Sequence, residues 1–186
     1  MLTPDINKSG VDFEPIDNMG TRTISFGLSA IRNVGEALVE QIVAHRREHG
    51  QYTSFYDFVE RAPEQVLNKR TIESLIKAGA FDSLGHPRKG LLMVYETIID
   101  ATVARRRERD QGVMSLFGDV GGDDSVFSEK REIPALQFDK SEQLKFEKEM
   151  LGLYVSDHPL HGAERMLAQL TDRTIAALLV DDGGGD

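Results

Sequence analysis

The chain has no cysteine among its 186 residues. That excludes disulfides and thiolate-bound zinc, and it points to the cell interior. It has no apolar run near the roughly 20 residues that cross a bilayer. Its first ten residues, MLTPDINKSG, lack the basic start and apolar core of a signal peptide. It has no repeat of fixed period, and no surplus of positive charge: the formal net charge is −9. At first sight that charge argues against a nucleic-acid partner, but it is unevenly spread. Residues 1–19 carry one Lys against four acids, residues 20–110 carry 14 Lys/Arg against 12 Asp/Glu, and residues 111–186 carry 7 against 15. Only the middle suits an approach to phosphates, and any DNA contact there is expected to be local and weak. The hydrophobic share of 40% suffices for one domain with a core, or a small domain with tails.

Punctuation and periodicity divide the chain. Residues 1–22 are broken by Pro, Asp and Gly and read as an extended lead-in. In "FGLSAIRNVGEALVEQIV", Leu28 and Ile31 share one helical face, and the spacing resumes after Gly35 with Val39, Ile42 and Val43. This predicts helices at about 26–31 and 36–48 joined by a glycine turn. "YTSFYDFVERA" reads as a short helix capped by Thr53 or Ser54, with Phe55 and Phe58 turned inward. "LNKRTIESLIKAGAF" is the clearest helix: Asn68 caps it, Ile72, Leu75 and Ile76 form its apolar face, and Gly79 ends it. A long helix is expected from Arg88 to Arg109. Residues 111–138, with "GDVGGDDS", read as a flexible acidic linker. "DKSEQLKFEKEMLG" is a further helix that stops at Gly152, "AERMLAQL" a last short one, and "DDGGGD" a frayed tail. The fold class is mainly α.

Helix, glycine turn, helix: the spacing Leu28, Ile31, Val34-Gly35, Val39, Ile42 is similar to a helix-hairpin-helix, which grips the DNA backbone without reading sequence. A glycine lets backbone N–H groups come close to a phosphate, and the N-terminus of the second helix adds unpaired donors and the positive end of its dipole. Such contacts position a protein and carry no base information. Asn33 stands where the motif often has glycine, and Asn tolerates the left-handed conformation. The alternative is a plain helical turn. "ESLIKAGAFDSLGHPRKGLL" repeats the pattern around Leu84-Gly85, with Pro87 at a helix start and His86, Arg88 and Lys89 about the turn. Here the alternative is that Gly85 merely separates packed helices and that Arg88 and Lys89 are solvated. His45 and His49 have metal-ligand spacing but lack a third ligand, so a solvated face is expected. "SDHPLHG", with His158 and His161, reads as a structural turn. Ser115 and Ser128 have no neighbouring base that would make a nucleophile. "ARRRERD" at 104–110 either tracks DNA or complements its own helix end.

"NKRTIESLIKAGAFDSLG", taken with "FGLSAIRNVGE", "YTSFYDFVERA" and "FEKEMLGLYVSDHPL", resembles the alpha subunit of bacterial DNA polymerase III, the C-family replicative DNA polymerase. The likeness runs in order from about Pro4 to Gly162. It implies a fragment: residues 1–22 would close the fingers region and residues 23–110 would be a tandem helix-hairpin-helix domain. Residues 111–138 would be a linker with a clamp-binding motif, 139–172 a helical segment leading to an oligonucleotide-binding barrel, and 173–186 a truncated tail. It implies duplex DNA, the sliding clamp and the remainder of the holoenzyme as partners, a cytoplasmic setting and no membrane. The resembled parent is a nucleotidyltransferase whose magnesium-holding palm lies upstream. No paired carboxylates stand here on a rigid frame, so the chain alone is expected to be inactive and without a cofactor. The resemblance assigns phosphate contact to the backbone of Asn33, Val34, Gly35 and Glu36, and of Leu84, Gly85 and His86, helped by Arg32, Arg88 and Lys89. Glu36 must swing its carboxylate away. It assigns the clamp contact to Met114, Ser115, Leu116 and Phe117, with Val113 where Gln is usual. Leu116 and Phe117 would be the apolar anchors. A second reading stays open: a protein-interaction module tethered through Met114–Phe117, its hairpins purely structural.

Overall fold

Residues 1–18, 21–110 and 131–157 are described by the computed structural model of the chain. Two units form, Met1–Ser156 and Asp157–Asp186, and every element below belongs to the first. The lead-in is not merely extended. It contains a two-stranded antiparallel hairpin, β1 (Glu14–Asn18) and β2 (Thr21–Ser25), registered from Glu14 opposite Ser25 to Asn18 opposite Thr21. Ahead of it, Ile6 is fully buried and its N–H donates to the Ala80 carbonyl at 2.8 Å. Asn7 exchanges two hydrogen bonds with the Tyr52 backbone, at 2.7 and 2.8 Å. Buried backbone needs partners, and here the body of the domain supplies them to a segment with little structure of its own.

Among the described residues five α-helices follow. α1 (Glu36–His49) buries Val39, Ile42 and Val43, the face its spacing predicts. α2 (Phe55–Arg61) is capped by Ser54, whose hydroxyl accepts from the Asp57 N–H at 3.1 Å. α3 (Lys69–Ala78) is capped by the Asn68 side chain, which accepts from the N–H groups of Arg70 and Thr71. It ends at Gly79, left-handed at φ 85°. α4 (Arg88–Asp110) and α5 (Lys140–Leu151) complete the set, the latter capped by Asp139 and closed by Gly152. α3 is the hub: it packs against both α4 and α5, while α2 packs against α4. No helix among the described residues is long and apolar enough to cross a membrane.

Two expectations change. The helix expected at 26–31 is a single 3-10 turn, Leu28–Ala30. Its donors are drawn elsewhere: the N–H groups of Leu28 and Ser29 go to the carbonyls of Gly10 and Val11, and that of Arg32 goes to Met150 at the end of α5, 2.9 Å away. A helix cannot propagate when its next N–H is bonded across the fold. Residues 131–138, expected to be linker, pack onto the domain. Ile133 lies against the core, Phe138 stacks edge-on against Phe146 at 4.9 Å, and the Leu136 carbonyl accepts from the Gly90 N–H at 3.1 Å. Residues 111–130 and 158–186 lie outside the described residues, and with them Met114, Ser115, Leu116, Phe117, Ser128, His158, His161 and the expected last helix.

Candidate nucleic-acid interface

The two glycine turns, alike in sequence, differ in what surrounds them. In the first, Ile31 and Val34 are buried and anchor the turn, while Arg32, Asn33, Gly35, Glu36 and Ala37 are exposed. Asn33 has φ 64°, and no other non-glycine residue described here has positive φ. Asn adopts that conformation at lower cost than most residues. Gly35 is ordinary extended backbone, φ −76° and ψ 141°, and a Cβ there would meet nothing within 4 Å. The fold therefore does not require glycine at 35. The Gly35 carbonyl accepts from Leu38 and Val39, opening α1, and the Val34 N–H is spent on Ile31. The N–H groups of Gly35, Glu36 and Ala37 have no partner among the described residues. Three donors at the positive end of a 14-residue helix form a place where an oxyanion fits once the Glu36 carboxylate turns away.

In the second turn the chain itself engages two of the three assigned donors, while the His86 N–H has no partner among the described residues and a Cβ at Gly85 would meet nothing within 4 Å. The N–H of Leu84 goes to Phe81 and that of Gly85 to Asp82, so neither is free for a phosphate. The Gly90 N–H, in the first turn of α4, is taken by Leu136, and the Pro134 carbonyl lies so close that a Cβ at Gly90 would sit 1.9 Å from it. Arg88 is a correction. It is 8% exposed, and its guanidinium bonds Asp82 at 2.6 Å and Glu147 at 3.1 Å. Burial alone would lower the pKa of Arg88, but these two carboxylates raise it above its ordinary value. Lys89 places its ammonium 5.6 Å from the centre of the Phe138 ring. His86 packs edge-on against Tyr56, its Nε2 is buried without a partner, and burial lowers its pKa. A neutral, packed imidazole and a paired arginine do not suit an anion. The physical reason is tertiary: Glu147 and the segment 131–138, both far along the chain, pack on the start of α4.

The basic end of α4 resolves likewise. Arg105 and Arg109 pair with Glu60, Arg107 with Glu64, and Arg106 donates to the carbonyls of Val59 and Ala62 at 3.3 and 2.9 Å. These arginines complement α2 and its C-terminal carbonyls rather than standing free. His45 accepts from or donates to the Tyr52 hydroxyl at 3.0 Å and stacks on His49 at 4.3 Å. Among the described residues no group of three His, Cys, Asp or Glu is arranged to hold a metal.

Sequence reasoning missed Arg70. Its Nη2 donates to the Asn33 side-chain oxygen at 2.9 Å across 37 residues of chain. No signal in spacing or composition links the two positions.

A helix-hairpin-helix motif family model matches residues 1–91. The chain is 46% identical over 185 residues to the DNA polymerase III subunit alpha of Saccharopolyspora erythraea, covering 96% of this chain and 15% of that protein. It is 40% identical over 190 residues to the subunit of the same name from Mycobacterium tuberculosis H37Rv, covering 100% of this chain and 16% of that protein. Against the Thermus aquaticus subunit it is 40% identical over 160 residues, 86% of this chain and 12% of that one. The chain thus spans roughly a sixth of the relatives it matches.

Proposed function

We propose that this chain, homologous over nearly its whole length to one segment of the DNA polymerase III alpha subunits, holds duplex DNA by its backbone behind a polymerase active site. The observation that supports the reading is the first turn: a glycine the fold does not require, facing open space, beside the unpartnered N–H groups of Gly35, Glu36 and Ala37. Arg32 is exposed beside it. The second turn contributes to the packing of the domain and not to the grip. Binding is sequence-independent and of modest strength, because half of the 14 cations of residues 20–110 are already paired with acids within the fold.

The remainder of the reading concerns the whole protein. The activity is DNA-directed nucleotidyl transfer during replication, carried by a magnesium-dependent palm outside this segment, in the cytoplasm and within the holoenzyme. Met114, Ser115, Leu116 and Phe117 provide the sliding-clamp contact, weakened by Val113 where a glutamine would hydrogen-bond.

The test is binding of a fluorescent duplex of arbitrary sequence by the chain and two variants. Gly35→Glu puts a carboxylate over the open donors at a backbone geometry any residue adopts, so circular dichroism stays unchanged while binding falls at least tenfold. Gly85→Asp places a carboxylate at the exposed, left-handed second turn and leaves binding within about twofold. Equal losses in both would restore the tandem grip. Indifference of both would leave the clamp tether as the working part.

A further inference from the structure

We propose that Arg70, in the first turn of α3, is itself a DNA-phosphate contact, so that the grip is shared by two helices far apart in sequence. This rests on the duplex-binding reading above and adds a residue to it. The starting point is how α3 holds Asn33. Arg70 Nη2 donates to the Asn33 side-chain oxygen at 2.9 Å, and the Asn33 amide donates to Ser74 Oγ at 3.3 Å. Thr71 Oγ1 donates to the Asn33 carbonyl at 3.5 Å. Three residues of α3 therefore hold the one left-handed residue of the turn.

The charge on Arg70 is what remains to be explained. A guanidinium has five N–H donors in a planar fork. One is spent on a neutral amide, which accepts a hydrogen bond but cancels no charge. Arg70 is exposed, and no carboxylate among the described residues lies within salt-bridge reach of it. Its neighbours on α3 are treated differently: Lys69 is 2.8 Å from Asp100 and 3.5 Å from Glu96, and Lys77 is 2.7 Å from Glu73. Arg88, Arg105, Arg107 and Arg109 are also paired with acids. In a chain of net charge −9, an arginine without an acid, bonded to the residue that turns the backbone toward open donors, is a charge kept for an outside anion. The ligand chemistry is a phosphodiester: one negative charge and two oxygens that match the free edge of the fork. The hydrogen bond to Asn33 holds that fork at the rim of the turn, so less side-chain freedom is lost on binding.

The test compares salt dependence in the unaltered chain, Arg70→Ala and Arg70→Gln, using one fluorescent duplex. Each phosphate contact adds about 0.9 to the slope of log K against log salt. Arg70→Ala is expected to weaken binding about tenfold at low salt and to flatten the slope by about 0.9. Arg70→Gln keeps a donor for Asn33 and drops the charge, and it gives the same flattened slope. A slope in both Arg70 variants equal to that of the unaltered chain overturns the inference, because Arg70 then only shapes the turn. Absence of duplex binding by the unaltered chain overturns the reading beneath it and this inference with it.

Discussion

Glu147→Ala lowers the stability of the fold by about 3 kcal/mol or more, the range expected when one partner of a buried ion pair is removed. Glu147 has no exposed surface, and its carboxylate is fully engaged. One oxygen accepts from Arg88 at 3.1 Å, and the other accepts from the N–H and hydroxyl of Ser156 at 3.1 and 2.9 Å. Removing it leaves the 8%-exposed Arg88 with only Asp82 to offset its charge. The loss also reaches Gly79. Its missing side chain makes room for the guanidinium, since a Cβ there would sit 2.2 Å from Arg88 Nη2. Arg88, Asp82, Glu147 and Ser156 thus join the start of α4, the turn before it, the second half of α5 and the residues that follow α5. For a unit of about 150 residues the expected fall in melting temperature is about 6–12 °C. The double variant Arg88→Met with Glu147→Leu is expected to recover most of it, because apolar residues of similar volume remove the desolvation cost of both charges. Urea midpoints of the three proteins measure this; a Glu147→Ala loss under about 1 kcal/mol would mean that water reaches the site.

The same carboxylate gives the fold an acid sensitivity. Burial raises the pKa of Glu147, but the two Ser156 donors and Arg88 outweigh burial and hold it below the ordinary 4.5. A group whose pKa is depressed on folding contributes stability above its unfolded value and loses it as the pH falls through the folded one. The contribution is therefore complete above about pH 4.5 and declines below it. Urea midpoints of the unaltered chain should fall more steeply below that pH than those of Glu147→Gln, which has no proton to take up.

Local features of the sequence were read well, and distant pairings were not. The cap at Asn68, the buried face of Ile72, Leu75 and Ile76 and the left-handed Gly79 are all contained within a dozen residues. Ser54 at the start of α2 and Gly152 at the end of α5 are equally local. The left-handed Asn33 also followed from the chemistry of the residue. The strands Glu14–Asn18 and Thr21–Ser25 escaped notice because EPIDN holds Pro, Asp and Asn, poor strand formers, and stability comes from packing on neighbours. Arg88 looked like a surface cation because Glu147 is 59 residues away. The start of α4 reads as open because the segment that packs on it arrives from beyond residue 130. Two turns that share one pattern in sequence differ in their tertiary surroundings.

Phe58→Ala is expected to cost about 3–5 kcal/mol, as large as any single truncation in this core. Phe58 is wholly buried and lies edge-on to Tyr52 at 4.9 Å and to Phe81 at 5.0 Å, with Phe55 at 6.4 Å. Edge-to-face pairs each add about 0.5–1.5 kcal/mol beyond burial, and this residue loses two. The surrounding groups are poorly placed to collapse into the gap. Tyr52 is held by Asn7 through its backbone and by His45 through its hydroxyl, and burial pushes the phenol up to about 12. Phe81 is fixed by Phe55 at 5.2 Å, almost perpendicular to it. Phe58→Leu keeps most of the volume and should cost under about 2 kcal/mol. Urea unfolding with an unchanged slope would assign the loss to the native core. The core and the proposed grip separate here: Phe58 touches neither Asn33 nor Gly35, so at a temperature where the variant is still folded its duplex affinity should match that of the unaltered chain. An Ala variant that is folded yet binds tenfold more weakly would mean that the turn is positioned through the aromatic cluster and not by α3 alone.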